Sequence, residues 1–300
     1  MCPEMLKSGV PLKVPPLGNA SVGRFFPESC EATVDDARQT LTVKLAGTGY
    51  ATLPVARRLG FSCAVTVEYA PDFYLAEDDS IYVWGKFVRL VSPPELRIVG
   101  VENPVVQLAT QTPLGSVATL VGEGLVSGEI GKGFTVVRQT DGDDFVLGHL
   151  DPPAKPVRTA RASRGHVLLA SDLLELRAAT REYAGPFEVR ESGKALFLRA
   201  HVQGVPLVFA VVDRPSGDAW RRAYESAQPL RPPFATPIVS GDLQAQPNGD
   251  NLRIVALPPG QYFVVLENRA PSPLANAALG IGSADPTAGV TYSIEIGDAP

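Results

Sequence analysis

The sequence predicts an all-β fold built as two β-rich domains, and three observations carry that prediction. Apolar residues recur at every second position in run after run, which is the side-chain period of a pleated strand. The runs are short, and the 28 glycines and 28 prolines of the 300-residue chain supply many turns between them. Pairs such as Asp141-Gly142 and Pro259-Gly260 stand where the chain must reverse tightly.

Residues 1–30 hold Pro3, Pro11, Pro15, Pro16 and Pro27 among Gly and Ser, and read as an extended tether. The first β-rich domain is expected over 31–150. Leu41, Val43 and Leu45 alternate with Thr40, Thr42 and Lys44, and Val65, Val67 and Tyr69 alternate with Ala64, Thr66 and Glu68. Such alternation implies an antiparallel sheet with one face on a core. Phe73–Ala76 and Ile81–Leu90 flank the acidic turn Glu77-Asp78-Asp79-Ser80 and read as a hairpin, and a further strand, Leu96–Val101, follows the Pro93-Pro94 break. Leu53–Leu59, with Pro54 suited to a first turn, has a helical pattern. Gly115, Gly122, Gly124, Gly128 and Gly131 predict irregular or bulged strands over 103–131. Phe134–Gln139 and Phe145–Leu150 form a hairpin across Thr140–Asp143.

The stretch 151–165, DPPAKPVRTARASRG, reads as a linker, and 166–300 as the second domain. Val167–Leu176 is taken as a strand. Ala195–Val202 and Leu207–Val212 read as a hairpin about Gln203-Gly204-Val205-Pro206. Asp218–Ala227, with Trp220 and Tyr224, is the best short helix in the chain. Leu252, Ile254 and Ala256 alternate, and Pro258-Pro259-Gly260-Gln261 fits a type II turn with positive φ at Gly260. Tyr262–Leu266 is apolar on both faces, as in a central strand. Val290, Tyr292, Ile294 and Ile296 alternate with Thr291, Ser293 and Glu295, so the last strand is expected to have one wet face.

This ending, with its Pro259-Gly260 turn, Tyr262 and the final Tyr292–Ile294–Ile296 strand, resembles the pre-peptidase C-terminal-type domains over residues 171–300. The resemblance implies a jelly-roll-like β-sandwich that acts as an accessory or binding module, and it carries over no catalytic residue. Members of that family often hold calcium, but no matching acidic cluster is present in this sequence.

The net charge of −5 disfavours nucleic acid as a partner. No apolar run of ~18 residues is present to cross a bilayer as a helix. Gly128–Gly133 lacks phosphate-loop spacing, with Val126 and Gly133 at two of the positions that matter. There is no His-Glu-x-x-His and no Gly-x-Ser-x-Gly motif. His149, His166 and His201 sit in separate segments without ligand spacing, so neither a metal nor another cofactor is expected. Asp141, Asp143 and Asp144, like Glu77, Asp78 and Asp79, occupy predicted turns, where aspartate is favoured for backbone reasons without calcium. Lys155, Arg158, Arg161 and Arg164 recur every third residue and would line one edge of a polyproline helix, although a solvated linker accounts for them equally simply. Tyr74, Tyr82, Trp84 and Phe87 raise the thought of a sugar-stacking platform, against the plainer account of strand packing.

Three cysteines remain, Cys2, Cys30 and Cys63. One reading explains all of them: Cys2 is the lipid-modified first residue of a mature bacterial lipoprotein, and Cys30 pairs with Cys63 in an oxidising compartment. The alternative is a cytosolic chain with three free thiols. By resemblance to bacterial lipoproteins, Pro3 after the cysteine points to the outer membrane, with the domains facing the periplasm or the outside. The expected function is a non-catalytic cell-envelope lipoprotein that binds or scaffolds an envelope protein or polysaccharide. A carrier of an apolar ligand, with its cavity within 40–150, is the second expectation, and a hydrolase the third.

Overall fold

A computed structural model of the chain describes residues 2, 5–6, 9–13, 20–53, 57–102, 129–139, 142–154, 163–228, 236–271 and 286–300. The chain divides into two compact units, Met1–Asn19 with Gly23–Val157, and Ala20–Val22 with Arg158–Pro300. Both units are built from strands, so the protein is all-β as its alternation predicts.

The described strands of the first unit form one antiparallel meander in which each pairs with its neighbour in sequence. They are β1 (Val10–Leu12), β2 (Gly23–Asp35), β3 (Thr40–Leu53), β4 (Arg57–Leu75), β5 (Ile81–Val101), β6 (Phe134–Gln139) and β7 (Gly142–Leu147). Phe25, Val43, Leu45, Phe61, Val65, Val67 and Tyr69 are fully or almost fully buried on one face, and they gather with Leu12 and Phe134 into one core. Phe134 lies directly over Gly85, its cross-strand partner, and only a residue without Cβ leaves room for the ring. The same ring meets Tyr69 edge-on at 5.3 Å. On the other face Glu68 bridges Arg38 and Arg89, each through two contacts of 3.1–3.3 Å. The hydrogen bonds from Arg89 first, and then the charge of Arg38, hold its carboxyl below the usual 4.5.

Three expectations for this unit are corrected. Residues 10–12 and 23–30 are strands whose Val10, Leu12 and Phe25 enter the core, so the proline-rich start is not a free tether. No helix forms at the described ends of 53–59, where Leu53 closes β3 and Arg57 opens β4. Pro93-Pro94 does not end a strand. The register places Thr66 opposite Ser92 and Ala64 opposite Glu95, so both prolines face the single Val65 in a bulge. A bulge tolerates residues that cannot donate to the ladder, and β5 runs through it. Residues 103–128, where glycine predicts irregular strands, lie outside the described residues.

The second unit has eight described strands in two antiparallel sheets. They are β8 (Val167–Leu176), β9 (Thr180–Val189), β10 (Lys194–Gly204), β11 (Leu207–Asp213), β12 (Val239–Leu243), β13 (Asn251–Leu257), β14 (Gly260–Asn268) and β15 (Ala288–Asp298). Sheet I has the order β13-β10-β15-β8 and sheet II the order β12-β11-β14-β9. Among the ladders, β8 pairs with β15, β9 with β14, β10 with β13 and β11 with β12. This is one long eight-stranded hairpin whose successive rungs fall alternately in the two sheets, which is the jelly-roll arrangement. Leu196, Leu198, Val202, Tyr292 and Ile294 of sheet I and Phe187, Phe209, Val211, Val264 and Leu266 of sheet II fill the space between. Ser21 joins this unit, donating from N to Leu173 O at 3.0 Å and from Oγ to Asp172 Oδ2 at 2.8 Å.

The jelly roll corrects the two hairpins expected here. β10 and β11 lie in different sheets, as do β13 and β14, so Val205-Pro206 and Pro258-Pro259 are arches across the core. Gly260 accordingly is not among the positive-φ residues, as a type II turn would require. β14 is central in sheet II, as its two apolar faces predict. The expected wet face of β15 is buried at Ser293 and Glu295. Arg214–Glu225 forms α1, which starts earlier than Asp218. Its start is set by Asp213, whose Oδ1 accepts Ser216 N–H at 2.9 Å, with Pro215 in the first turn. The helix covers the outer face of sheet II, with Gly217 pressed against Phe263 and with Trp220 and Tyr224 buried beneath it.

Candidate functional site

The cysteines settle into a pattern different from the one expected. A disulfide joins Cys2 to Cys30, with Cα atoms 5.4 Å apart, and Cys63 is a buried free thiol. The pairing of Cys30 with Cys63 fails for a geometric reason. Cys30 lies on β2 and Cys63 on β4, with β3 between them. Cys30 stands opposite Leu45 and Cys63 opposite Gly47, so two interstrand steps of ~4.8 Å and a two-residue stagger put their Cα atoms more than about 10 Å apart, beyond the reach of a disulfide. Cys63 shares the core face of β4 with Phe61 and Val65, and burial pushes its thiol up to about 11. It is therefore an inert packing residue rather than a nucleophile. A sulfur committed to a disulfide has no valence left for a thioether, so in this form Cys2 carries no lipid.

The histidines do not converge, and among the described residues no group of three or more His, Cys, Asp and Glu side chains comes together. His149 stacks near Trp84 at 5.0 Å and pairs with Asp151 at 2.9 Å. His201 contacts Gly249 O at 3.1 Å. His166 packs on Phe197 at 4.1 Å, over Gly297, and its Nδ1 is 3.0 Å from Glu295 Oε2, which also accepts Ser163 N–H at 3.0 Å. Burial alone would push the Glu295 carboxyl up, but these two donors outweigh it and hold the carboxyl below its usual value. Ser293 Oγ, two residues before Glu295, is buried without a hydrogen-bond partner, and the serine that meets the pair is Ser163, whose backbone and side chain both bond Glu295. The His166–Glu295 contact fastens 163–166 over sheet I, and it explains why that face of β15 is dry.

The remaining sequence candidates separate in the same way. Asp78 Oδ1 accepts Ser80 N–H at 3.2 Å and Asp79 has a φ of 62°, which is turn chemistry. Asp141, the side chain of Asp143, and Lys155, Arg158 and Arg161 lie outside the described residues. Tyr82 and Trp84 are buried with Val137, and Trp84 Nε1 donates to Leu150 O at 2.8 Å, so they pack rather than present a platform. Phe73, Tyr74, Leu75 and Ile81 stand exposed at the tip of the β4–β5 hairpin, and Phe87 is exposed further along β5.

Sequence reasoning missed a pocket in the second unit. Its volume is about 210 Å³, and it lies between α1 and the outer face of sheet II, toward the edge strand β12. Val208, Ala210 and Val265 line it from the sheet, and Trp220 from the helix. Its polar side is a chain of charges. Arg181 donates from Nε and Nη2 to Glu267 Oε1 at 2.9 and 2.7 Å, and Arg269 Nε donates to Glu267 Oε2 at 2.8 Å. Burial raises the Glu267 carboxyl, and the two guanidinium groups more than cancel this, leaving it below 4.5. Burial likewise disfavours the charged form of Arg181, but Tyr183 and Glu267 outweigh it and raise its value. Only the 3.6-residue spacing of Trp220 and Tyr224 hinted at this site, because Arg181, Glu267 and Arg269 are brought together by the pairing of β9 with β14. No protein-family model matches the chain, and no curated protein matches it.

Proposed function

We propose that the chain is a non-catalytic binding or scaffolding protein of the bacterial cell envelope, working on a protein or polysaccharide component outside the reducing cytoplasm. The observation that carries this reading is the Cys2–Cys30 disulfide, because such bonds persist in oxidising compartments. The inert environment of Cys63 supports a binding role over a thiol-nucleophilic one. The resemblance of residues 171–300 to accessory modules points the same way. In the envelope Cys2 has two alternative fates, the disulfide or a lipid thioether that anchors the protein at the outer membrane.

The test is acid-quenched thiol tagging in cells that carry the native gene, followed by mass spectrometry. The expected result is that Cys2 and Cys30 escape the tag until reductant is added. A diacylglycerol mass on Cys2 with a tagged Cys30 would keep the envelope reading and replace the disulfide by the anchor. Tagging of both cysteines without reductant would overturn the reading.

A further inference from the structure

We propose that the pocket beneath α1 binds a small carboxylate with a flat apolar body, about one substituted ring in size. The proposal goes beyond the envelope reading and does not depend on the state of the cysteines.

Size comes first. A dry apolar cavity of about 150 Å³ admits benzene. The volume here is about 210 Å³, enough for a ring and one substituent. The walls suit such a body, because Val208, Ala210, Val265 and the indole of Trp220 are apolar surfaces. β12 forms one rim, where Ser240 is exposed.

Charge comes second. The lining holds two guanidinium groups, Arg181 and Arg269, and one carboxylate, Glu267, so its charged side chains sum to one positive charge. Both Glu267 oxygens are already engaged, one by each arginine. What the pocket still offers is donors. Arg269 is bonded only through Nε, which leaves both Nη groups for a planar anion, and its side chain is 60% exposed. A guanidinium edge matches a carboxylate bidentately. An ammonium group would instead meet two cations.

The third observation is independent of the charges. Trp220 lines the pocket, and its Nε1–H is buried with no hydrogen-bond partner. Buried donors are seldom left unpaired, and because this nitrogen has almost no surface open to the pocket, a ligand oxygen reaches it only with a small turn of the indole.

The experiment uses the full chain at neutral pH with three probes of similar size, anionic, neutral and cationic: benzoate, benzamide and benzylamine. The readout is the side-chain Nε1–H resonance of the two tryptophans. Trp84 is already bonded to Leu150 O and serves as the internal control. Benzoate is expected to bind saturably with Kd on the order of a millimolar, to move the Trp220 resonance alone, and to bind about ten-fold tighter than benzamide. Arg269→Gln, an exposed substitution, should bring benzoate down to the level of benzamide and leave benzamide unchanged. Ala210→Leu should remove both by filling the pocket. Absence of saturable benzoate binding, equal or tighter binding of benzamide or benzylamine, or indifference to either substitution would overturn the proposal. Each of these outcomes leaves the envelope reading standing, because that reading rests on the cysteines.

Discussion

The two units are both antiparallel and both close an apolar core, yet their registers are set over different lengths of chain. In the first, every described strand pairs with its sequence neighbour, from β1-β2 to β6-β7. In the second, the first strand pairs with the last, and Ser163 donates to Glu295 across 132 residues. Local turn chemistry suffices for the short hairpins of such a meander, and β5–β6, whose partners run from Gly85–Phe134 to Ile81–Arg138, is the long-range exception. A jelly roll must close long loops before its pairings are rewarded, so its order is carried by burial between the sheets. The reinforcements differ accordingly. The first unit has a covalent clip near its start, and the second has aromatic packing and ion pairs beneath α1.

The largest expected effect lies beneath the helix. Tyr224 is buried, its Oη accepts Arg181 N–H at 3.1 Å, and its ring meets Tyr183 at 5.7 Å. Tyr224→Ala should cost about 3–5 kcal/mol, as large aromatic truncations do. Amide hydrogen exchange should show the loss in peptides from β9 and β11 and none in peptides from β3 and β4. Equal loss in both units would break the contrast, since it would mean that the two unfold together.

The clip gives the converse test. The Cys2–Cys30 bridge closes a separation of 28 residues. In the chain-entropy model, opening a loop of that size removes about 3.5 kcal/mol. Reduction, or Cys30→Ser, should therefore speed exchange in β2 and β3 and leave the jelly roll protected. Unchanged exchange in β2 would show that the core holds this edge without the bridge.

Acid should act by smaller steps. The Glu267 and Glu295 carboxyls are held below 4.5 in the folded protein. Between that value and the lower folded one, the unfolded chain binds more protons. Their contribution is therefore complete above pH 4.5 and is lost as pH falls through the folded-state values. Glu267→Gln should be less stable than the parent at neutral pH, and the gap should narrow in acid, as a denaturation series would read. A constant gap across that range would show that the fold stabilises the ionised and the protonated carboxyl alike.

Legibility followed the same division. The alternation of Val65, Val67 and Tyr69 and the acidic turn at Glu77–Ser80 were enough for the β4–β5 hairpin, since both signals are local. The Pro93-Pro94 pair misled, because whether proline ends a strand depends on what lies opposite, and a bulge against Val65 removes the conflict. The cysteine pairing misled for a related reason. Sequence read Cys30 as the end of a tether and Leu41–Leu45 as a strand, but not the pairing order that sets this strand between Cys30 and Cys63. The pocket was hardly legible, because Arg181 and Glu267 meet through a pairing that joins residues 86 apart.

By itself the sequence determined the all-β class, the short-period strands, the helix around Trp220 and Tyr224, and the central place of Tyr262–Leu266. These follow from side-chain periodicity and from the conformational limits of proline and aspartate, which act over a few residues. Only the tertiary structure decided that Val205-Pro206 and Pro258-Pro259 cross between sheets, that Cys2 and not Cys63 reaches Cys30, and that two arginines converge on Glu267 beside Trp220. A turn reverses the chain in the same way whether the next strand joins its own sheet or the opposite one. The choice is made by which arrangement buries more apolar surface across the whole unit, and no single segment contains that quantity.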